Sequence, residues 1–200
     1  MRADPPPGLD RELSVRINAL CDEGRRYWSR FDSDVRWNAW HPFVAADYDV
    51  VRDVLISLRQ PGCRFLEWGS ATGIITIMAD LLDFDACGIE LDADLVEVGR
   101  ELATKWNSGA SFARGSFIPL GWEWQDSGEA GRHGTIGGGP SGYLALGRPL
   151  SDFDIVYAFP WMGEEPMMLD LMRAHGGEEA LLLLYTVEHD VRAYRGGRLV

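Results

Sequence analysis

Cysteine is scarce in this chain. Three stand in 200 residues, Cys21, Cys63 and Cys87, odd in number and far apart. They form no C-x-x-C pair and no zinc spacing, which argues against a disulfide framework and leaves free thiols of a reducing compartment as the expectation. Histidine is sparse too, and no pair of the four has metal-ligand spacing, so no metal is expected. Long apolar runs are missing: the longest, Ala180 to Tyr185, is far too short to span a bilayer. The N-terminus, with Asp4-Pro5-Pro6-Pro7-Gly8, lacks the apolar core of a secretory signal. A soluble, cytoplasmic protein without membrane contact is expected. Positive charge is in deficit, with 19 Lys and Arg against 31 Asp and Glu and a net charge of −12 at pH 7. Such a surface repels phosphate backbones, so nucleic acid is a poor partner. A small molecule, a cationic group or a protein is the easier one.

What is present is enough for one α/β domain. Hydrophobic residues make up 46% of the chain and charged residues 25%. Residues 1–9 read as a disordered leader and 10–200 as a single domain. Asp10 can cap a helix with Leu13, Ile17, Leu20 and Tyr27 on one stripe. The aromatic stretch Trp28, Phe31, Trp37, Trp40, Phe43 follows. Asp47 or Asp49 then starts a second helix with Val50, Val51, Val54, Leu55 and Leu58, ended by Pro61-Gly62.

From there strands alternate with helices. Strands are expected at Arg64 to Trp68, Ala86 to Leu91, Ser111 to Ala113, Asp154 to Phe159 and Ala180 to Thr186. Helices are expected at Ala71 to Leu82, from Asp92 to about Trp106, and at Glu164 to His175. This alternation implies a doubly wound, mostly parallel sheet with right-handed crossovers. The apolar runs Ile155 to Phe159 and Leu181 to Tyr185 suit strands buried on both faces. Nine glycines within 121–150 mark a Gly-rich insertion, read as a mobile lid or an accretion.

The chemistry lies in Phe65-Leu66-Glu67-Trp68-Gly69-Ser70-Ala71-Thr72-Gly73, a helix, and then Gly88-Ile89-Glu90. In an open α/β sheet a ligand binds beyond the carboxyl ends of the strands. The turn there must let backbone approach it, and Gly69 and Gly73 lack a Cβ. The following helix offers N–H groups to a carboxylate. Glu90, ending the next strand, can accept both hydroxyls of a ribose.

The segment resembles the first motif of the class I S-adenosylmethionine-dependent methyltransferases, an acid followed by G-x-G-x-G at the end of the first strand. Here it stands as Glu67, Gly69, Ala71, Gly73, with alanine in the middle place. The resemblance covers roughly residues 40–190. It implies a Rossmann-like sheet in the order 3-2-1-4-5 with N-terminal helices over the site, and S-adenosylmethionine as cofactor. It also implies Glu67 near the methionine amino group, Glu90 on the ribose, and Ser116 and Phe117 flanking the adenine; the family often has aspartate at the place of Ser116. A nicotinamide dinucleotide site wants glycines at 69, 71 and 74, where this chain has Gly69, Ala71 and Ile74.

The fourth strand ends in Tyr157-Ala158-Phe159-Pro160-Trp161. Amino-methyltransferases carry [DN]-P-P-[YF] there, and this chain is similar only at Pro160-Trp161. Phe159, Pro160 and Trp161 then form either an apolar acceptor wall or a plain strand end with a proline stop. Glu164 and Glu165 either complement a helix N-terminus or take part in acceptor binding and proton removal. Trp37, Trp40, His41, Phe43 and Tyr48 form either a pocket roof or an aromatic mini-core. After the fifth strand, Arg192 to Arg195 and Arg198 to Val200 around Gly196-Gly197 leave room only for a shortened C-terminal hairpin. Methyl transfer to a small-molecule or protein acceptor is the function implied. The alternatives are a non-catalytic cofactor- or partner-binding domain on the same fold, and aminopropyl transfer from a decarboxylated cofactor.

Overall fold

The computed structural model describes residues 9–33, 44–123, 139–161 and 163–200. Seven strands form one sheet in the order β3-β2-β1-β4-β5-β6-β7. These are β1 (Arg64–Trp68), β2 (Asp85–Glu90), β3 (Ser111–Arg114), β4 (Ile155–Ala158), β5 (Leu181–Tyr185), β6 (Val191–Arg195) and β7 (Arg198–Leu199). The first five run parallel. The last two turn back as an antiparallel hairpin, which is the shortened C-terminal end expected from the sequence.

Helices cover both faces. On one lie α1 (Arg11–Phe31), α2 (Tyr48–Ser57), α3 (Ile74–Leu81) and α4 (Ala93–Lys105), over a core that includes Ile17, Leu55, Phe65, Met78, Val96 and Leu183. On the other lie α5 (Gly142–Leu146) and α6 (Glu165–His175), over Leu66, Trp68, Val156, Leu171, Leu182 and Leu184. Alternate residues of β1 and β5 thus enter opposite cores, as strand geometry dictates.

The N-terminal helices are held by capping and close packing. Asp10 accepts the Leu13 N–H at 2.7 Å, and Asp47 rather than Asp49 caps α2 by accepting the Asp49 N–H. A Cβ on Gly24 would come within 2.8 Å of both Ile74 and Tyr48, so this glycine lets α1 lie against α3.

Three expectations are corrected. Leu9, counted with the leader, is buried in the first core because it seats the entry to α1. The helix after β1 starts at Ile74, not Ala71, because residues 69–73 form the glycine turn. The segment 121–150 is not loop throughout: Gly142–Leu146 is helical, and Ser116 pairs with Ser141 as an isolated bridge. Gly142 there serves packing, since a Cβ would meet Ile89 at 2.7 Å. Residues 124–138, the rest of the glycine-rich stretch, lie outside the described residues, as do 1–8 of the leader. Among the described residues no helix is long and apolar enough to cross a membrane.

Candidate functional site

The site is built at the carboxyl ends of β1, β2 and β4. Beyond Trp68 the chain turns sharply. Gly69 and Ser70 both donate their N–H to the Ile89 carbonyl, at 2.9 and 3.0 Å, and Gly73 donates to the Ser70 carbonyl at 2.7 Å. Three residues of this turn are left-handed: Gly69 (φ +70°), Ala71 (φ +45°) and Gly73 (φ +75°). For Ala71 that conformation costs about 1–2 kcal/mol.

The two glycines do different work. Around Gly69 a Cβ would meet nothing within 4 Å, so this position opens onto free space. At Gly73 a Cβ would meet the Phe112 ring at 2.5 Å, so its bareness answers to packing between α3 and β3 rather than to a ligand. This corrects the expectation that both glycines admit one.

Glu90 pins the strained residue. Its Oε2 accepts the Ala71 N–H at 2.8 Å and its Oε1 accepts the Asp92 N–H at 2.9 Å. The Leu91 backbone N–H also faces this carboxylate. Burial raises its pKa, opposed by these backbone bonds.

Glu67 is more deeply placed, 5% exposed. Its Oε2 accepts both the N–H of Thr76, at 2.9 Å, and the Thr76 hydroxyl, at 2.5 Å. The acceptor at the start of α3 is therefore a side chain of the protein itself. The expectation that this helix end offers its N–H groups to a ligand carboxylate is corrected at Thr76. Burial pushes the Glu67 pKa up to about 8; the Thr76 bonds oppose this and the charge of Glu90 adds to it. Thr76 is a site residue that sequence reasoning missed. Its only signal was a hydroxyl in the first turn of the helix after the motif. Gly88 on β2 makes room for it, since a Cβ there would meet Ser70 at 2.7 Å and Thr76 at 2.9 Å.

One cleft gathers part of this set; Glu90 and Thr76 stand behind its lining. Glu67, Gly69 and Ala71 line it from the motif, Tyr157 from β4, Phe159 from just beyond that strand, and Tyr48 with residues 44–46 from the N-terminal side. Glu67 and Tyr157 are register partners on adjacent strands. The Tyr157 hydroxyl is buried and has no hydrogen-bond partner among the described residues. Phe159 packs edge-on against Tyr185 at 4.8 Å, and the Tyr185 hydroxyl accepts the Asp47 N–H at 3.0 Å, tying the entry of α2 to the strand ends.

Other candidates fall elsewhere. Ser116 and Phe117 are each 4% exposed and do not line the cleft. Phe117 stacks on Trp68, with centroids 5.0 Å apart and planes at 15°, and Trp68 donates to the Tyr143 hydroxyl at 2.8 Å. Pro160 and Trp161 are partly buried beyond the cleft. Glu164, expected at the edge of an acceptor pocket, is fully buried. Its Oε2 accepts the Trp161 N–H at 2.9 Å, so it closes the turn into α6. Glu165 accepts the Tyr194 hydroxyl at 2.6 Å. Of the aromatic stretch, Tyr48 stands in the cleft wall, while Trp37, Trp40, His41 and Phe43 lie outside the described residues.

No family model and no curated protein matches the sequence. Solved structures do. An RNA methyltransferase from Salinibacter ruber, in complex with S-adenosyl-L-homocysteine, is similar at a TM-score of 0.50 and 17% identity, over 70% of this chain and 76% of that one. A precorrin-6y C5,15-methyltransferase from Geobacter metallireducens GS-15 gives 0.49 and 16%, over 78% and 72%. A methyltransferase from Pyrococcus furiosus gives 0.48 and 16%, over 82% and 78%. With its strand order and the first of these likenesses, the chain has the class I methyltransferase fold.

Proposed function

We propose that the chain binds S-adenosylmethionine and transfers its methyl group to a small-molecule or protein acceptor. One observation carries this: Glu67 and Glu90, from the ends of adjacent parallel strands, flank a left-handed glycine turn at the centre of the sheet. In this reading Glu90 accepts the ribose hydroxyls and Glu67 faces the methionine ammonium. Gly69 lets the backbone come close, and Ala71 shapes the turn. Gly73 contributes only through packing. Ser116 and Phe117, buried and outside the cleft lining, are not assigned a part in binding.

When bound, the cofactor supplies a methyl group already activated on a sulfonium. The work left to the chain is alignment and exclusion of water. Phe159, at the end of β4, offers an apolar wall where the acceptor would meet the methyl group, and Pro160-Trp161 continue beyond it. Glu164 is spent on its turn and is not placed to take a proton from an acceptor.

Titration calorimetry tests the reading. S-adenosylmethionine and S-adenosylhomocysteine should bind and NAD should not; binding of NAD alone would overturn it. A screen with a labelled methyl group then finds the acceptor. The Glu90→Ala variant should lose about 1–3 kcal/mol of cofactor affinity, the worth of hydrogen bonds of this kind.

A further inference from the structure

Among the described residues the cleft has no basic side chain in its lining. Its charged member is Glu67, with Glu90 close behind Ala71. An amino-acid zwitterion held here would have its ammonium matched by Glu67. Among the described lining residues, its carboxylate would meet only neutral donors. Most donors nearby are spent: the N–H groups of Gly69, Ser70, Ala71 and Gly73 are bonded within the turn or to Glu90, and both donors of Thr76 serve Glu67.

Two hydroxyls in the lining, those of Ser70 and Tyr157, are buried with no partner among the described residues. That of Ser70 lies over Gly88 of β2, 2.7 Å from where a Cβ there would stand, whereas Tyr157, 2% exposed, comes from β4 on the other side of β1. Leaving a buried hydroxyl unpaired is costly, and such groups in folded proteins are rare. Burial, and then the negative charge of Glu67, holds it protonated, so it is a donor. The register Glu67↔Tyr157 places it one strand over from the acid that would take the ammonium.

We propose that Tyr157 is a cofactor-binding residue whose hydroxyl donates to the carboxylate of the ligand's amino-acid end. This rests on the reading of the cleft as an S-adenosyl site.

The test compares three ligands: S-adenosylhomocysteine, its decarboxylated analogue, and 5′-methylthioadenosine, which lacks the amino-acid end. In Tyr157→Phe, affinity for S-adenosylhomocysteine should fall about tenfold or more, the scale of a hydrogen bond to a charged group. Affinity for the other two should not change. Thermal stability of the free variant should be equal or higher, because an unpaired oxygen has been removed. The wild-type protein gives an independent measure: it should prefer S-adenosylhomocysteine over the decarboxylated analogue by a similar factor. Three results would overturn the assignment: unchanged affinity for S-adenosylhomocysteine, equal loss for all three ligands, or equal loss for S-adenosylhomocysteine and the amine alone, which would make the ammonium the partner. If the wild-type protein binds none of the three, the S-adenosyl reading itself fails and takes this one with it.

Discussion

Glu67 is buried beside a strained turn, and two bonds from Thr76 offset only part of the cost of keeping it charged. The consequence has a sign. The side chain ionises near pH 4.5 when unfolded and near pH 8 in the fold, so between these values the folded state holds more protons. Its contribution to stability is complete below pH 4.5 and is lost as pH rises through about 8. Each unit is worth about 1.4 kcal/mol, so a few kcal/mol are at stake. Denaturant unfolding of the free protein should therefore show stability falling across this window. Glu67→Gln, which keeps an acceptor for Thr76, should flatten the slope; an equal slope in both proteins would contradict the assignment. Binding should respond in the opposite direction, because a cationic ligand favours the charged acid: affinity should rise as pH approaches 8 from below. Gly69→Val should lower cofactor affinity more than Glu90→Ala does, since it adds strain at φ +70° and fills the open side of the turn. Calorimetry on the two variants checks the order.

The elements show what a sequence can and cannot reveal. Apolar runs and caps were legible: Asp10, Asp47 and Asp92 each hold the N-terminus of the helix they announced. Helix α5 was not, because its residues answer to tertiary contacts. Gly142 is small for Ile89, Gly147 is left-handed at the helix end (φ +66°), and Tyr143 is fixed by the Trp68 indole. In one dimension those glycines look like a loose loop. Gly73 was misjudged for the same reason, since its contact with Phe112 spans the sheet. Gly73→Ala should destabilise the protein by about 1–3 kcal/mol through overpacking, beyond the backbone strain. Combining it with Phe112→Leu should recover part of that loss. Thermal melts of the two single variants and the double variant measure the coupling; strict additivity would remove Phe112 from the account.

At the scale of the whole molecule, the strand order followed from where the motif sat among the strongest strands. The position of Glu67 and Glu90 on neighbouring strand ends followed from that order. The pairing of Glu67 with Thr76 and with Tyr157 did not, because it depends on how α3 and β4 dock beside β1. On the acceptor side, Trp161 stands beyond the cleft at the end of β4, held through its backbone by Glu164. Trp161→Ala should reduce methyl transfer more than cofactor affinity; loss of affinity with normal transfer per bound cofactor would reverse that role. The central claim is that an S-adenosyl ligand sits across residues 69–73 with its ribose on Glu90. Hydrogen–deuterium exchange with and without S-adenosylhomocysteine tests it most directly. The account predicts saturable protection concentrated in residues 69–75 and 90–94. Saturable binding that leaves these two segments unchanged would contradict it.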